Sequence, residues 1–170
     1  MRLEDYFRNV KDFPKPGVLF KDITPLLADY AATEECLDKL VALVGNQPID
    51  IVVSIEARGF FFGILLAQRL KAGFVPIRKP GKLPYHTLSE SYDLEYGTDT
   101  IEIHQDAIEE GDRILLHDDI LATGGTALAA CRLLERKGGD IVQINFLLEI
   151  EALRGVQKIG GYPVKSLFKF

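Results

Sequence analysis

At 170 residues, with 47% hydrophobic and 26% charged residues, the chain has the length of one domain with a full core and excludes a disordered or fibrous class. A net charge of −5 argues against general affinity for nucleic acid. The opening MRLEDYFRNV has no apolar core of the signal-peptide kind, and the longest apolar run, Gly59 to Ala67, is far short of the ~20 residues that span a bilayer, so a cytoplasmic protein without membrane attachment is expected.

In chain order, DFPKPGVLFKDITPLL carries Pro14, Pro16, Gly17 and Pro25, which makes it an extended excursion and not a crossover helix. Cys36 and Cys131 fall in helix-like segments without metal-ligand spacing and are expected to be reduced thiols. IDIVVSI, Ile49 to Ile55, is a β-branched, nearly continuous apolar run, as expected of a parallel strand covered on both faces. The segments starting at Gly73 (GFVPI), Arg113 (RILLHDDI) and Asp140 (DIVQINFLLEI) share that character. Between them, GFFFGILLAQRL and the stretch from Thr126 to Arg136 read as crossover helices, the second closed by Gly138 with Arg136 and Lys137 in its last turn. Alternating strand and helix signals predict an α/β fold, a central, mostly parallel sheet flanked by helices. RKPGKLPYHTLSESYDLEYGTDTIEIHQDAI breaks the pattern and reads as a long hairpin with a mobile tip.

In an open α/β sheet ligands sit beyond the carboxyl ends of the strands, which places Asp118, Asp119 and the ATGGT turn, Ala122 to Thr126, at one rim. Gly124 and Gly125 allow close backbone approach to an anion, and the helix amides with the hydroxyls of Thr123 and Thr126 supply donors. A monophosphate fits there, and the two carboxylates can each accept from a ribose hydroxyl. By spacing alone the segment is equally an Asp-rich cap before a glycine turn; the absence of a Lys after the glycines argues against a P-loop. EARGF puts Arg58 and Gly59 after the first buried strand, where Arg58 either holds an anion or is solvated. RKPGK gathers Arg78, Lys79 and Lys82 into a focused positive field or a solvated surface cluster. Phe20 in VLFKD, on residue type alone, suits a core position. His117 reads as a structural strand residue and His104 as one on an exposed strand face.

HDDILATGGTALAA resembles the phosphoribosyl-pyrophosphate (PRPP) motif of type I phosphoribosyltransferases, and DFPKPGVLFKDITPLL, EARGFFFG, IRKPGKLP, SYDLEYGTD and DDILATGGT are similar, in order and spacing, to the family's adenine-specific members. The resemblance implies the type I phosphoribosyltransferase fold as a single domain over residues 1–170, with residues 1–30 as a small base-recognising hood and with a mobile loop. It implies transfer of ribose 5-phosphate from PRPP to adenine, giving AMP and pyrophosphate in purine salvage, with Mg²⁺ bound mainly through PRPP or pyrophosphate and no dedicated protein metal site, and a homodimer. On that footing Asp118, Asp119, Ala122, Thr123, Gly124, Gly125 and Thr126 hold ribose and 5′-phosphate. Arg58, Gly59, Arg78, Lys79 and Lys82 hold pyrophosphate. The Leu19 carbonyl and Lys21 amide read adenine while Phe20 stacks on it, and Glu95, beside Tyr96, is the general base, with Arg58 as its catalytic companion. The resemblance further implies an unusual, strained or cis peptide between Ala57 and Arg58, and a lid from Leu83 to Glu95 that closes over substrates. Tyr85 and His86 depart from the small or proline residues many relatives carry there. Enzymes using hypoxanthine or guanine, and a PRPP-sensing regulator, are the competing readings; VLFKD and the presence of both Glu95 and Arg58 disfavour them.

Overall fold

The structure of the protein is a computed structural model that describes residues 2–94 and 97–170. It divides into two compact units, residues 1–39 and 40–170. In the first unit, strands β1 (Arg8–Lys11) and β2 (Leu19–Asp22) pair antiparallel, with Val10 opposite Phe20. The proline-rich turn between them contains a cis Phe13–Pro14 peptide, and Gly17 donates its N–H to Asp12 Oδ1 at 2.8 Å. The excursion is thus extended as expected as far as Asp22, part of it as a strand in a ribbon, but its end, Thr24 to Leu27, is helical. Helix α1 (Thr24–Ala28) follows with Pro25 in its first turn, where a missing N–H costs nothing. Asp29 then caps α2 (Tyr30–Val44), its carboxylate accepting the Ala32 N–H at 2.8 Å.

The second unit is built on a five-stranded, wholly parallel sheet. Its elements in chain order are β3 (Ile51–Ile55), α3 (Gly59–Leu70), β4 (Gly73–Ile77), β5 (Thr87–Asp93), β6 (Thr98–His104), β7 (Arg113–Leu121), α4 (Gly125–Arg136), β8 (Asp140–Glu149), α5 (Gly155–Ile159) and β9 (Val164–Lys169). The sheet order is β4-β3-β7-β8-β9, and β5 and β6 form a separate antiparallel hairpin. The chain leaves β3 toward one edge and builds β7 onward toward the other, so the order reverses between β3 and β7, the switch point at which such sheets bind ligands.

Register determines the two faces. Val53, Leu116 and Ile144 stand side by side and pack with Ala127, Ala130 and Leu134 of α4 and with Ile101 and Ile103 of the hairpin. The adjacent row, Ser54, His117 and Asn145, points to the other face and is fully buried. Helix α3 covers Ser54 at contact distance, since a Cβ on Gly63 would lie 2.0 Å from the Ser54 hydroxyl. Helices therefore flank both faces. Gly138, at φ +78, ends α4, and the Gly139 N–H closes the last turn on the Leu134 carbonyl at 3.0 Å.

His117 is the structural strand residue expected, its Nδ1 2.7 Å from Asn145 Oδ1. His104 is not on an exposed face: it is half-buried, with Nε2 shielded from solvent and the Tyr85 ring 6.4 Å away. Cys36 and Cys131 are free and buried, and burial pushes both thiols up to about 12.

Burial lowers His117 from its ordinary 6.5 to about 4. The unfolded chain takes up this proton near 6.5 and the folded one only near 4, so stability falls as pH drops through that window, by about 3 kcal/mol in full. Asp118, whose carboxyl burial raises, acts in the opposite sense. Thermal melting from pH 7 to 4.5 is expected to show a loss several degrees larger in the wild-type protein than in His117→Gln; parallel profiles would show that His117 is not the group responsible.

Candidate active site

The strand ends at the switch point bring most of the second unit's candidate residues together. β7 runs through both acids to Leu121, so Asp118 and Asp119 are strand residues and not loop residues, with side chains on opposite faces of its end. Asp119 is buried, and its Oδ2 accepts the Arg58 Nε–H at 2.6 Å. The two acids are therefore unequal: Asp119 faces a guanidinium, while the Asp118 carboxyl, burdened by burial and then by the Asp119 charge, is raised well above the usual carboxylate range. Asp118 Oδ1 accepts the Asp119 N–H at 2.8 Å. Gly59 makes room for this acid, because a Cβ there would sit 2.8 Å from Asp118 Oδ1.

Arg58 precedes α3 and turns toward the rim. The expected unusual peptide is found one bond upstream: the cis bond joins Glu56 to Ala57, not Ala57 to Arg58. The Glu56 carboxylate, for which no role had been read from the sequence, receives the Arg78 Nε–H at 3.1 Å and the Lys79 backbone N–H at 2.9 Å. Burial works against its charge, yet these two donors hold it below its ordinary value. Lys79 extends to Asp99 on β6, another acid not anticipated from the sequence.

A cavity of about 460 Å³ joins these parts, lined by Glu56, Arg58, Lys79, Tyr92, Asp118 and Asp119 among others. Among the described residues Arg78 and Lys82 stand outside its lining; Arg78 is held back by Glu56, and Lys82 is exposed on the turn. A smaller cavity of about 70 Å³ adjoins it, lined by Asp118, Ala122, Thr123, Gly124, Gly125 and Thr126. Gly124, at φ +84, starts α4 without a side-chain cap, which leaves first-turn amides for a ligand. Of the two hydroxyls expected to supply donors, that of Thr126 is engaged, donating to the Tyr92 hydroxyl at 3.0 Å.

Leu19, Phe20 and Lys21 belong to β2 of the first unit, where Phe20 is half-buried and meets Phe13 edge-on at 5.1 Å. Glu95 and Tyr96 lie outside the described residues. The preceding part of the expected lid is anchored on the rest of the second unit. Leu88 packs on the core, Tyr92 is buried, and Glu90 pairs with Arg136 at 3.2 Å and Arg132 at 3.6 Å.

Residues 21–165 match the sequence profile of the phosphoribosyl transferase domain. The chain belongs to the phosphoribosyl transferase family. Among its relatives, the adenine phosphoribosyltransferase of Flavobacterium johnsoniae is 60% identical over 164 residues, 96% of each chain. The crystal structure of the Thermoanaerobacter pseudethanolicus adenine phosphoribosyltransferase superposes with a TM-score of 0.97 at 49% identity, covering 99% of this chain and 98% of that one. The Saccharomyces cerevisiae enzyme, complexed with D-2,5-dideoxy-2,5-imino-altritol 1,6-bisphosphate and adenine, superposes with a TM-score of 0.91 at 37% identity, covering 97% and 96%. This phosphoribosyltransferase thus has the α/β fold of that family, with its parallel sheet flanked by helices.

Its glycine cradle is buttressed from outside by the first residue of α5, a feature no sequence motif marked. A Cβ on Gly155 would lie 2.3 Å from the Ala122 carbonyl and 2.7 Å from Leu121 Cδ1, and one on Gly124 would lie 2.6 Å from the Gly155 carbonyl. Gly155→Ala must therefore displace the ATGGT turn. Calorimetric titration is expected to show affinity for AMP and ribose 5-phosphate falling about tenfold or more, with pyrophosphate affinity retained, as overpacking of about 1–3 kcal/mol is released locally. Equal losses for all three ligands would instead mean general unfolding.

Proposed function

We propose that this phosphoribosyltransferase transfers ribose 5-phosphate from PRPP to adenine, giving AMP and pyrophosphate in purine salvage. The observation that carries the reading is the meeting, at one switch point, of a glycine cradle at a helix start, a pair of acids on the adjoining strand end, and cations on the neighbouring turn. The cradle takes the 5′-phosphate on its free amides. Asp118 and Asp119 accept the ribose hydroxyls, Arg58, Gly59 and Lys79 receive the pyrophosphate, and Arg78 and Lys82 add positive field from outside the cleft. The base is read by Leu19, Phe20 and Lys21. As the bond from adenine N9 to the anomeric carbon forms, the bond from that carbon to the pyrophosphate oxygen breaks, and the N9 proton passes to Glu95, with Tyr96 beside it in the lid.

Mg²⁺ fits this donor set as a passenger of the substrate. Among the described residues no three His, Cys, Asp or Glu side chains gather to hold a metal, whereas one or two carboxylates plus substrate phosphates are this ion's usual partners. Asp118 and Asp119 are the carboxylates within reach, and the ion when bound offsets charge on the pyrophosphate. A homodimer is supported by Phe61 and Ile64, 45% and 50% exposed and three residues apart on α3. No helix of the described residues is long and apolar enough to cross a membrane, which suits work in the cytoplasm, and the net charge of −5 speaks against a nucleic-acid partner.

Incubation with PRPP, Mg²⁺ and each purine separately, with chromatography of the products, is expected to show AMP and pyrophosphate from adenine alone. Turnover with hypoxanthine and none with adenine would sink the assignment. Glu95→Gln should lower kcat by about 10²-fold or more while leaving the KM for PRPP near its original value, the mark of a lost general base; near-normal kcat would remove Glu95 from that role.

A further inference from the structure

One side chain of the cleft belongs to none of the groups above. Tyr92, 9% exposed on β5, lines the larger cavity between Thr126 and Lys79. Its hydroxyl accepts from Thr126 Oγ1 at 3.0 Å and donates to Asp99 Oδ2 at 3.2 Å, and the same carboxylate oxygen receives the Lys79 ammonium. Tyr92 and Asp99 are direct partners across the β5–β6 hairpin. The Lys79 ammonium also stands 6.0 Å from the centroid of the Tyr92 ring.

We propose that Tyr92 and Asp99 act as a single positioning unit that sets the distance between the Thr126 hydroxyl at the phosphate end of the cleft and the Lys79 ammonium at the pyrophosphate end. The inference rests on the functional reading above, since it concerns a ligand with an anion at each end. A threonine hydroxyl and a lysine ammonium are both rotatable, and an unheld pair would have to be ordered by the ligand itself. Here a rigid cross-strand pair orders them beforehand. The Asp99 Oδ1 atom is held in turn by the Thr100 N–H at 2.8 Å, and the Lys79 backbone by Glu56, so both ends of the chain are tied. The ionised state of the pair agrees: the Lys79 hydrogen bond lowers Asp99, and Lys79 is raised although burial opposes its charge.

Initial-rate kinetics on the wild-type enzyme, Tyr92→Phe, Asp99→Asn and the double variant test this, with melting temperatures measured alongside. Each single change is expected to raise the KM for PRPP about fivefold, the worth of one hydrogen bond, with the KM for adenine and the melting temperature unchanged. The double variant should be no worse than the poorer single one, because both cut one chain. An unchanged KM for PRPP in either single variant, effects that multiply in the double, or a parallel rise in the KM for adenine would each overturn the proposal. A wild-type protein that makes no AMP would overturn the functional reading and this inference with it, whereas normal wild-type turnover with unaffected variants overturns this inference alone.

Discussion

The side-by-side pairing of β3 and β7, with Val53 beside Leu116 and Ser54 beside His117, is the constraint on which the site depends. The two strands send their connections to opposite edges of the sheet, so neither following turn can cover the other's strand end, and a cleft remains. What fills that cleft is decided by how closely the two strand ends and their turns can approach. Gly59 gives Asp118 the space that a Cβ would take, and Gly155 does the same for the Ala122 carbonyl. Glycine's missing side chain serves here as a packing device more than a conformational one: of the two, neither has a positive φ.

That geometry forces acids and bases into contact. Arg58 lies on Asp119, Arg78 on Glu56 and Lys79 on Asp99, so three of the four cations read from the sequence as anion holders are already engaged with carboxylates. With side chains 45%, 34% and 41% exposed, these cations remain in partial contact with water. Their value is orientation. On the proposed reading a multiply charged anion would meet cations already aimed, while a protein of net charge −5 avoids the repulsion that a bare cluster of cations would create within itself.

The sequence disclosed the parallel core because β3, β7 and β8 are buried on both faces and so read as continuous apolar runs. It did not disclose β9 or α5. β9 is an edge strand, VKSLFK, whose lysines blur the alternation while protecting the edge, and α5 is too short for a periodic signal. The ATGGT cradle and the two acids were legible because glycine and carboxylate chemistry is local. Glu56, Tyr92, Asp99 and Gly155 were not, because each acquires its role from a partner 20 to 34 residues away. Polar residues on strands look alike in a sequence until register shows what they face. The hairpin shows the same limit: its sequence does not tell which side faces the sheet, yet Leu88 and Tyr92 point inward and Glu90 finds two arginines on α4.

The two ends of the cleft are built from different materials, and this bears on the chemistry. At the cradle, donors are backbone amides whose position follows from glycine packing, so that end can yield only by moving the chain. At the other end, donors are side chains aimed by carboxylates. A transfer reaction needs this asymmetry, because one fragment must stay fixed while the other departs. On the proposed reading, a ribose phosphate seated on those amides would keep its anomeric carbon in place through the reaction, while the departing pyrophosphate would meet only side-chain donors, already aimed by Asp99 and Asp119.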